Sequence, residues 1–424
     1  MRLHLLLISF LLSVVLLPGP SALTAQGAGD LVALNVLGKN VLVTPRAGGP
    51  ITTLQTLRQD LIYGPMMAGP GDDSALLVAT YVGGINRHYV QRVDAMAVTT
   101  LSSFMIIPEL TVDMGMDDAG DLLLLTKYNH SKNGLYSAPF GVNTLQLVAA
   151  WPKGAAEAVA FTEDHDSGDW WVLDESGYIH RIARAGGAVL SITRAWPTSI
   201  KAGDLVMDPA TGHLIIAAGY HVLRFDPVTR ILSTLYMLPY PLGGAETKGM
   251  HFDQQTRGFL ASGWHAAGPS TQGVVVQLDA MGTFVRLDRL GAGIDIENVF
   301  AAWGRAFTPL TSPVLGQTYE VALRSRPDAG LAYCAALSFH TRPGISTPWG
   351  HIPLRADALF FLSFAGVPLF RGFSGTLDTR GGATMEVDIP GDKLLSGLRI
   401  IAAFAVMDSQ GIRRILGPFA FSLR

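Results

Sequence analysis

Five stretches of this chain carry one short pattern at a nearly constant interval, and that repeat constrains the fold more than any other feature. "MDDAGDLLLLT" from Met116, "MDPATGHLIIA" from Met207 and "FDQQTRGFLAS" from Phe252 each join a turn built on aspartate to an apolar run. "FTEDHDSGDWWVL" from Phe161 and "GPGDDSALLVAT" from Gly69 are looser copies. With Asp72, Asp117, Asp164, Asp208 and Asp253 as markers, the spacings are 45, 47, 44 and 45 residues. A second motif follows each copy, as in "YIHRIA" from Tyr178 or "HVLRFD" from His221, and then another β-rich run. Each unit thus predicts four short strands, with "DPATG" a β-turn that aspartate and proline start and glycine finishes.

One four-stranded sheet cannot bury both of its faces. Stacking such sheets around an axis does, and closing the ring protects the edges. A period of 40 to 50 residues with four strands per unit therefore predicts an all-β chain whose main part is a β-propeller. Five units run from Tyr63 to Leu290, and "IDIENVFAAWG" (Ile294 to Gly304) begins a sixth. Its missing strands are available in "DLVALNVLGKNVLVTPRAGGPITTLQTL" near the start, which predicts a composite closing blade and six blades, with seven as the alternative. This places the propeller at 26–306. A linker at 307–317 and a small β-sandwich at 318–424 follow, the latter read from "YEVALRS", "AYCAALSF" and "LRIIAAFAVMD" between Gly, Pro and Asp turns.

The first residues, "MRLHLLLISFLLSVVLLPGPSALTAQ", place Arg2 before an apolar run and a small-residue exit. They read as a secretory signal at 1–25, cleaved after Ala25 or alternatively Ala22. No cysteine stands directly after that run, and no later stretch offers 18 uninterrupted apolar residues, so the expectation is a mature chain with neither lipid anchor nor transmembrane segment. Cys334 is the single cysteine, so disulfides cannot staple the fold, and its alternating apolar context predicts a buried inert thiol. The formal charge of −3 and the lack of a basic run give no footprint for nucleic acid.

On these repeats the chain resembles the six-bladed propellers of the NHL, gluconolactonase-like and streptogramin-lyase-like group over about 265 residues. The resemblance implies the fold and not an activity, because no clear set of ligands matches the lactonase or lyase pattern. The tail, "GTLDTRGGATMEVDIP" through "RRILGPFAFSLR", resembles a sandwich domain ending many exported proteins of planctomycetes and myxobacteria.

Propeller ligands gather at one mouth, where the chain enters each innermost strand and where second and third strands join. Acidic residues stand at the first kind of position: Asp113, Glu157, Asp204, Glu246, and Glu297 with Asn298. Aromatics and histidines stand at the second: Tyr128 and His130, Tyr220 and His221, Trp264 and His265. Carboxylates converging on the axis could hold Ca²⁺ or another divalent cation, with Glu157, Asp204 and Asn298 as ligands and His221 or His265 as base. Solvated polar loops with packed aromatic tips would look the same. "EDHDSGDWW" (Glu163 to Trp171) lacks the glycine and distal glutamate of a calcium loop and reads as a solvated hairpin on the opposite mouth. "WHAAGPSTQG" (Trp264 to Gly273) reads as a rim or lid loop.

Two functions are compatible with this pattern. The first is an exported, non-catalytic binding protein in the secreted, periplasmic or cell-surface space of a bacterium, needing no cofactor. Its mouth would recognise a glycan, peptide or protein partner of the extracellular space or envelope. The alternative is a metal-dependent lactonase or lyase.

Overall fold

The computed structural model describes residues 31–424 except 36–38, 45–50, 58–60, 69–74, 82–86, 94–97, 106–109, 118–120, 128–132, 139–143, 153–154, 197–199, 239–244, 254–255, 268–269, 280, 293, 295 and 302–305. On several strands it describes the backbone alone. The expected signal at 1–25 and the marker Asp72 lie outside the described residues. No helix among the described residues is long and apolar enough to cross a membrane.

The repeat folds into consecutive four-stranded antiparallel sheets. Sheet 1 is Leu61–Ala68, Ala75–Tyr81, Arg87–Val93 and Val98–Met105, and sheet 2 is Leu110–Met116, Leu122–Lys127, Gly134–Ala138 and Gln146–Ala150. Sheet 3 is Ala158–Glu163, Trp170–Asp174, Tyr178–Ile182 and Val189–Arg194, and sheet 4 is Ala202–Met207, Leu214–Ala218, His221–Phe225 and Leu232–Met237. Sheet 5 is Ala245–Asp253, Gly258–Ala267, Ser270–Leu278 and Phe284–Ala292. In sheet 6, Ile296–Ala301 pairs with Leu31–Asn35, which continues to Asn40–Thr44 and Thr52–Thr56. The first strands lie against one another in order, and that of sheet 6 lies against that of sheet 1. The architecture is a β-propeller.

The aspartate markers are turn builders. Asp208 accepts the Ala210 N–H at 2.9 Å and the Thr211 hydroxyl at 2.6 Å, while its carbonyl accepts the Gly212 N–H at 2.8 Å. Asp164 does the same with Asp166 N–H (3.1 Å) and Ser167 Oγ (3.0 Å). These bonds satisfy the polar groups that a tight turn would otherwise strand.

Apolar residues gather between sheets. One cluster joins Leu123, Leu125 and Leu135 of sheet 2 to Phe161, Trp170 and Val172 of sheet 3. Another joins Leu173 and Ile179 to Leu214 and Ile216 of sheet 4, and a third joins Ile215 and Val222 to Phe259 and Val276 of sheet 5. A sheet buried on both faces reads as a continuous apolar run, which is why "LLLL" and "LIIAA" lack strand alternation.

The fourth strand of every sheet carries a register shift, and the residue passed over is aliphatic each time: Val285, Leu54, Leu101, Val148, Leu190 or Leu235. Such a bulge bends an edge strand away from edge-to-edge pairing. It also turns Leu101, Val148 and Leu235 onto the neighbouring cores.

Two further sheets make the C-terminal sandwich. One holds Phe307–Pro309, Thr318–Arg324, Gly382–Asp388 and Phe370–Arg371; the other holds Ser374–Thr376, Ala332–Ser338, Arg399–Asp408 and Gly411–Ser422. Tyr319, Val321, Leu337, Phe404 and Phe421 fill the space between them. The segment 307–317, expected as a linker, is partly sandwich: Phe307 pairs with Leu323 and is buried in its core. A helix, α1 (Ala358–Phe364), also interrupts the expected run of strands. Asp357 caps it by accepting the Phe360 N–H at 3.0 Å.

The sandwich docks on the turns between first and second strands, which overturns the reading of Glu163–Trp171 as a solvated hairpin. Asp166 accepts the Thr341 hydroxyl and the Arg342 Nε–H, both at 2.7 Å, and Asp164 accepts Arg342 Nη2 at 3.1 Å. Arg399 donates to Glu163 and to the His165 carbonyl, again at 2.7 Å. The partners lie 175 to 236 residues on, so no local pattern announces them. Burial alone would raise the Asp166 carboxyl, but Thr341 and Arg342 outweigh it and hold the group below its ordinary range. Its contribution is complete above the unfolded carboxylate pKa and is lost as pH falls through the lowered folded value. Asp166→Ala should weaken docking by about 2 to 4 kcal/mol, read as faster proteolytic separation of sandwich from propeller. Cleavage at the wild-type rate would contradict this assignment.

Candidate functional site

The first strands carry a device that the linear pattern hides. Each pairs with its neighbour through a register shift, passing over Val112, Val159, Gly203, Lys248 and Glu297 in sheets 2 to 6. The residue just after the shift is Asp113, Ala160, Asp204, Gly249 or Asn298 in turn. Polar positions therefore alternate with small ones: Asp113, Asp204 and Asn298 occupy sheets 2, 4 and 6. Asn298 and Glu297 are placed by backbone register only, their side chains lying outside the described residues.

Asp113 and Asp204 have identical surroundings. Asp113 accepts the N–H of Met114 and, from the next sheet, of Phe161, both at 2.7 Å. Asp204 accepts those of Leu205 and, from the next sheet, of Met250, also at 2.7 Å. Each carboxyl is a clamp between consecutive first strands. Between sheets 3 and 4 the hydroxyl of Thr162 takes that role, accepting the Met207 N–H at 3.2 Å.

Both acids keep a little accessible surface although protein encloses them. Burial pushes Asp113 up to about 7, and its two N–H bonds only partly offset that. Burial, then the charge of Asp113, raises Asp204 well above the ordinary carboxylate range. Both carboxyls are thus biased toward the neutral form, and each oxygen named already accepts an N–H. Among the described residues, no three His, Cys, Asp or Glu side chains are placed to hold a metal ion.

A second group lies at the other end of the first strands from the docked sandwich, where sheets 4 and 5 meet. Lys201 Nζ is 2.9 Å from Glu246 Oε1, and Trp264 Nε1 donates to Glu246 Oε2 at 3.3 Å. Trp264 stands opposite Glu246 in the register. The rings of Tyr220 and His221 lie 4.1 Å apart, and burial lowers the His221 pKa. Thr247 ties the two loops together, its hydroxyl donating toward the carbonyls of Gly219 (2.9 Å) and His221 (3.1 Å). The Lys201 side chain is 74% exposed, and Tyr220, His221, Glu246 and Trp264 beside it are half-buried, a polar and aromatic ledge.

The twelve predicted residues thus separate. Asp113 and Asp204 are near enough for the charge of one to act on the other, and Glu246, Tyr220, His221 and Trp264 share the ledge. Glu157 stands at the start of sheet 3, its carbonyl accepting the Glu175 N–H at 2.9 Å. Tyr128 and His130 lie outside the described residues, as does the side chain of His265, whose backbone pairs with Ala245 and Gln272. The expected lid at Trp264–Gly273 is an extension of the second-to-third hairpin, paired as far as Ala267 and Ser270. Lys201 and Thr247 went unrecognised in the sequence, although Lys201 and Glu246 both stand seven residues before their turn aspartates.

No protein-family model matches the chain, and no curated protein matches it. Among solved structures it is similar to a protein of unknown function from Bacteroides caccae, at 10% identity and TM-score 0.48, over 64% of this chain and 98% of that one. It is also similar to the nidogen/laminin complex, at 10% identity and TM-score 0.45, over 65% of this chain and 98% of that one. Saccharomyces cerevisiae Sqt1 matches at 13% identity and TM-score 0.40, over 70% of this chain and 78% of that one.

Proposed function

We propose that this chain is an exported, non-catalytic binding protein. Its propeller is six-bladed, closed by the composite sheet 6, and akin to the NHL and gluconolactonase-like group. The ledge of Lys201, Tyr220, His221, Glu246 and Trp264 recognises a glycan or peptide of the extracellular space or envelope. The observation that carries this reading is the pairing of Trp264 with a solvent-facing Lys201–Glu246 ion pair across two adjacent sheets. An aromatic plane beside fixed donors and acceptors suits a ligand with both apolar and polar faces. The lactonase or lyase reading draws on Glu157, Asp204 and Asn298, and Asp204 already serves as a clamp between sheets.

Glycan and peptide arrays with the chain from Gln26 test the proposal. A hit should weaken at least tenfold in Trp264→Ala, with the thermal melt held. A melt raised by Ca²⁺ and reduced by Asp204→Asn, together with lactone hydrolysis, would replace binding with catalysis.

A further inference from the structure

We propose that the ligand of the ledge is a neutral glycan, one sugar of which sets its C–H face on Trp264 and its hydroxyls against Lys201 and Glu246; this rests on the ledge being the binding site. What the ledge leaves for a ligand decides the class, and its main chain is already engaged. The Gly219 N–H donates to the Lys201 carbonyl at 2.8 Å, and the Tyr220 carbonyl accepts the Leu238 N–H, also at 2.8 Å. The Gly219 carbonyl accepts both the N–H and the hydroxyl of Thr247, and the His221 carbonyl lies 3.1 Å from that same hydroxyl. In sheet 5 the strand holding Trp264 is paired on both sides, with Glu246 opposite on one and Gly273 on the other. An extended peptide gains affinity by adding main-chain hydrogen bonds to an open strand edge, and these groups offer it none.

Side-chain chemistry remains: an ammonium, a carboxylate, an indole, a phenol and an imidazole. A sugar complements that set, since it carries an apolar C–H face beside hydroxyls that both donate and accept. Charge sets the rest. Of the five residues Lys201 alone is cationic and Glu246 alone acidic, and they answer each other at 2.9 Å. Burial lowers the His221 pKa against a bond to the Ala218 backbone that raises it, so the ring is uncharged at neutral pH. A carboxylate on the ligand would find no unpaired cation among these five and would stand against Glu246, which the Trp264 indole N–H also holds at 3.3 Å. A sugar hydroxyl donates to Glu246 and accepts from Lys201 without separating them, because the ammonium has three donors.

The test is binding of the chain from Gln26 to immobilised cello-, malto-, xylo- and N-acetylchito-oligosaccharides, to oligogalacturonate and to a random peptide library. Wild type should bind at least one neutral oligosaccharide and refuse oligogalacturonate. Glu246→Gln removes a charged acceptor and frees Lys201, so it should weaken the neutral ligand about tenfold and admit oligogalacturonate, with an unchanged melt. If that variant misfolds, Lys201→Met reads the same pair, with the neutral ligand weakened about fivefold and oligogalacturonate still refused. Wild-type binding of oligogalacturonate, or neutral binding indifferent to these substitutions, overturns the proposal. Peptide binding that is lost in Trp264→Ala, with no oligosaccharide bound, overturns the glycan and keeps the ledge as the site. No binding that depends on Trp264 removes ligand and site together.

Discussion

Asp328→Ala is expected to destabilise the sandwich by about 3 to 5 kcal/mol, the cost of removing a buried carboxylate from an ion-paired network. Asp328 is fully buried at the end of the strand Thr318–Arg324, where a single helical turn brings it under the sheet. Its oxygens accept Arg413 Nε at 2.9 Å and Arg414 Nε at 2.7 Å, and the Ser325 hydroxyl donates to it as well. Removing the carboxylate takes a partner from two guanidinium groups at once: Arg414 is largely buried, while Arg413 is partly exposed and keeps Asp408 at 3.6 Å. Urea denaturation of wild type and variant measures this. A difference below about 1 kcal/mol would mean that the arginines find solvent without cost, as exposed pairs do.

The second large effect concerns pH. Burial holds Asp113 at about 7, against 3.8 for a free side chain. The folded chain therefore holds this proton more tightly than the unfolded chain. Stability from this group is complete at low pH and falls as pH rises from the unfolded value through the folded one. Asp113→Asn stays neutral throughout, keeps one acceptor oxygen and removes the charge that raises Asp204. One lost N–H bond costs about 1 kcal/mol, so the net gain at about pH 8 should be on the order of 1 to 2 kcal/mol, with little change at about pH 5. Urea melts at the two pH values measure it. An unchanged slope would show that Asp113 is ionised in the folded chain at no cost.

These two carboxyls mark where reading along the chain stops. Asp208 was legible as a turn residue because its partners, Ala210, Thr211 and Gly212, lie within four positions. Asp204, four residues earlier, looked like a candidate ligand, because its second partner is the Met250 N–H, 46 residues away in the next sheet. The register shift that re-aims it leaves no mark in composition. Lys201 and Glu246 stand at the same spacing from their turn aspartates, but that the two would pair, with Trp264 beside them, depended on tertiary packing and cross-strand register.

The repeat of about 45 residues, its four-strand content and its turn chemistry were settled by the sequence alone, since they rest on local backbone preferences and on apolar runs that need a neighbour. The pairing of the chain's start with Ile296–Ala301 could be anticipated, as an unfinished sheet demands strands from somewhere. The folding of Phe307 into the sandwich, the use of Glu163, Asp164 and Asp166 as a docking surface, and the clamping of neighbouring sheets by Asp113 and Asp204 were decided only in three dimensions. A carboxylate's role depends on which donors reach it, and the donors here come from segments that only the closed packing of sheets brings near.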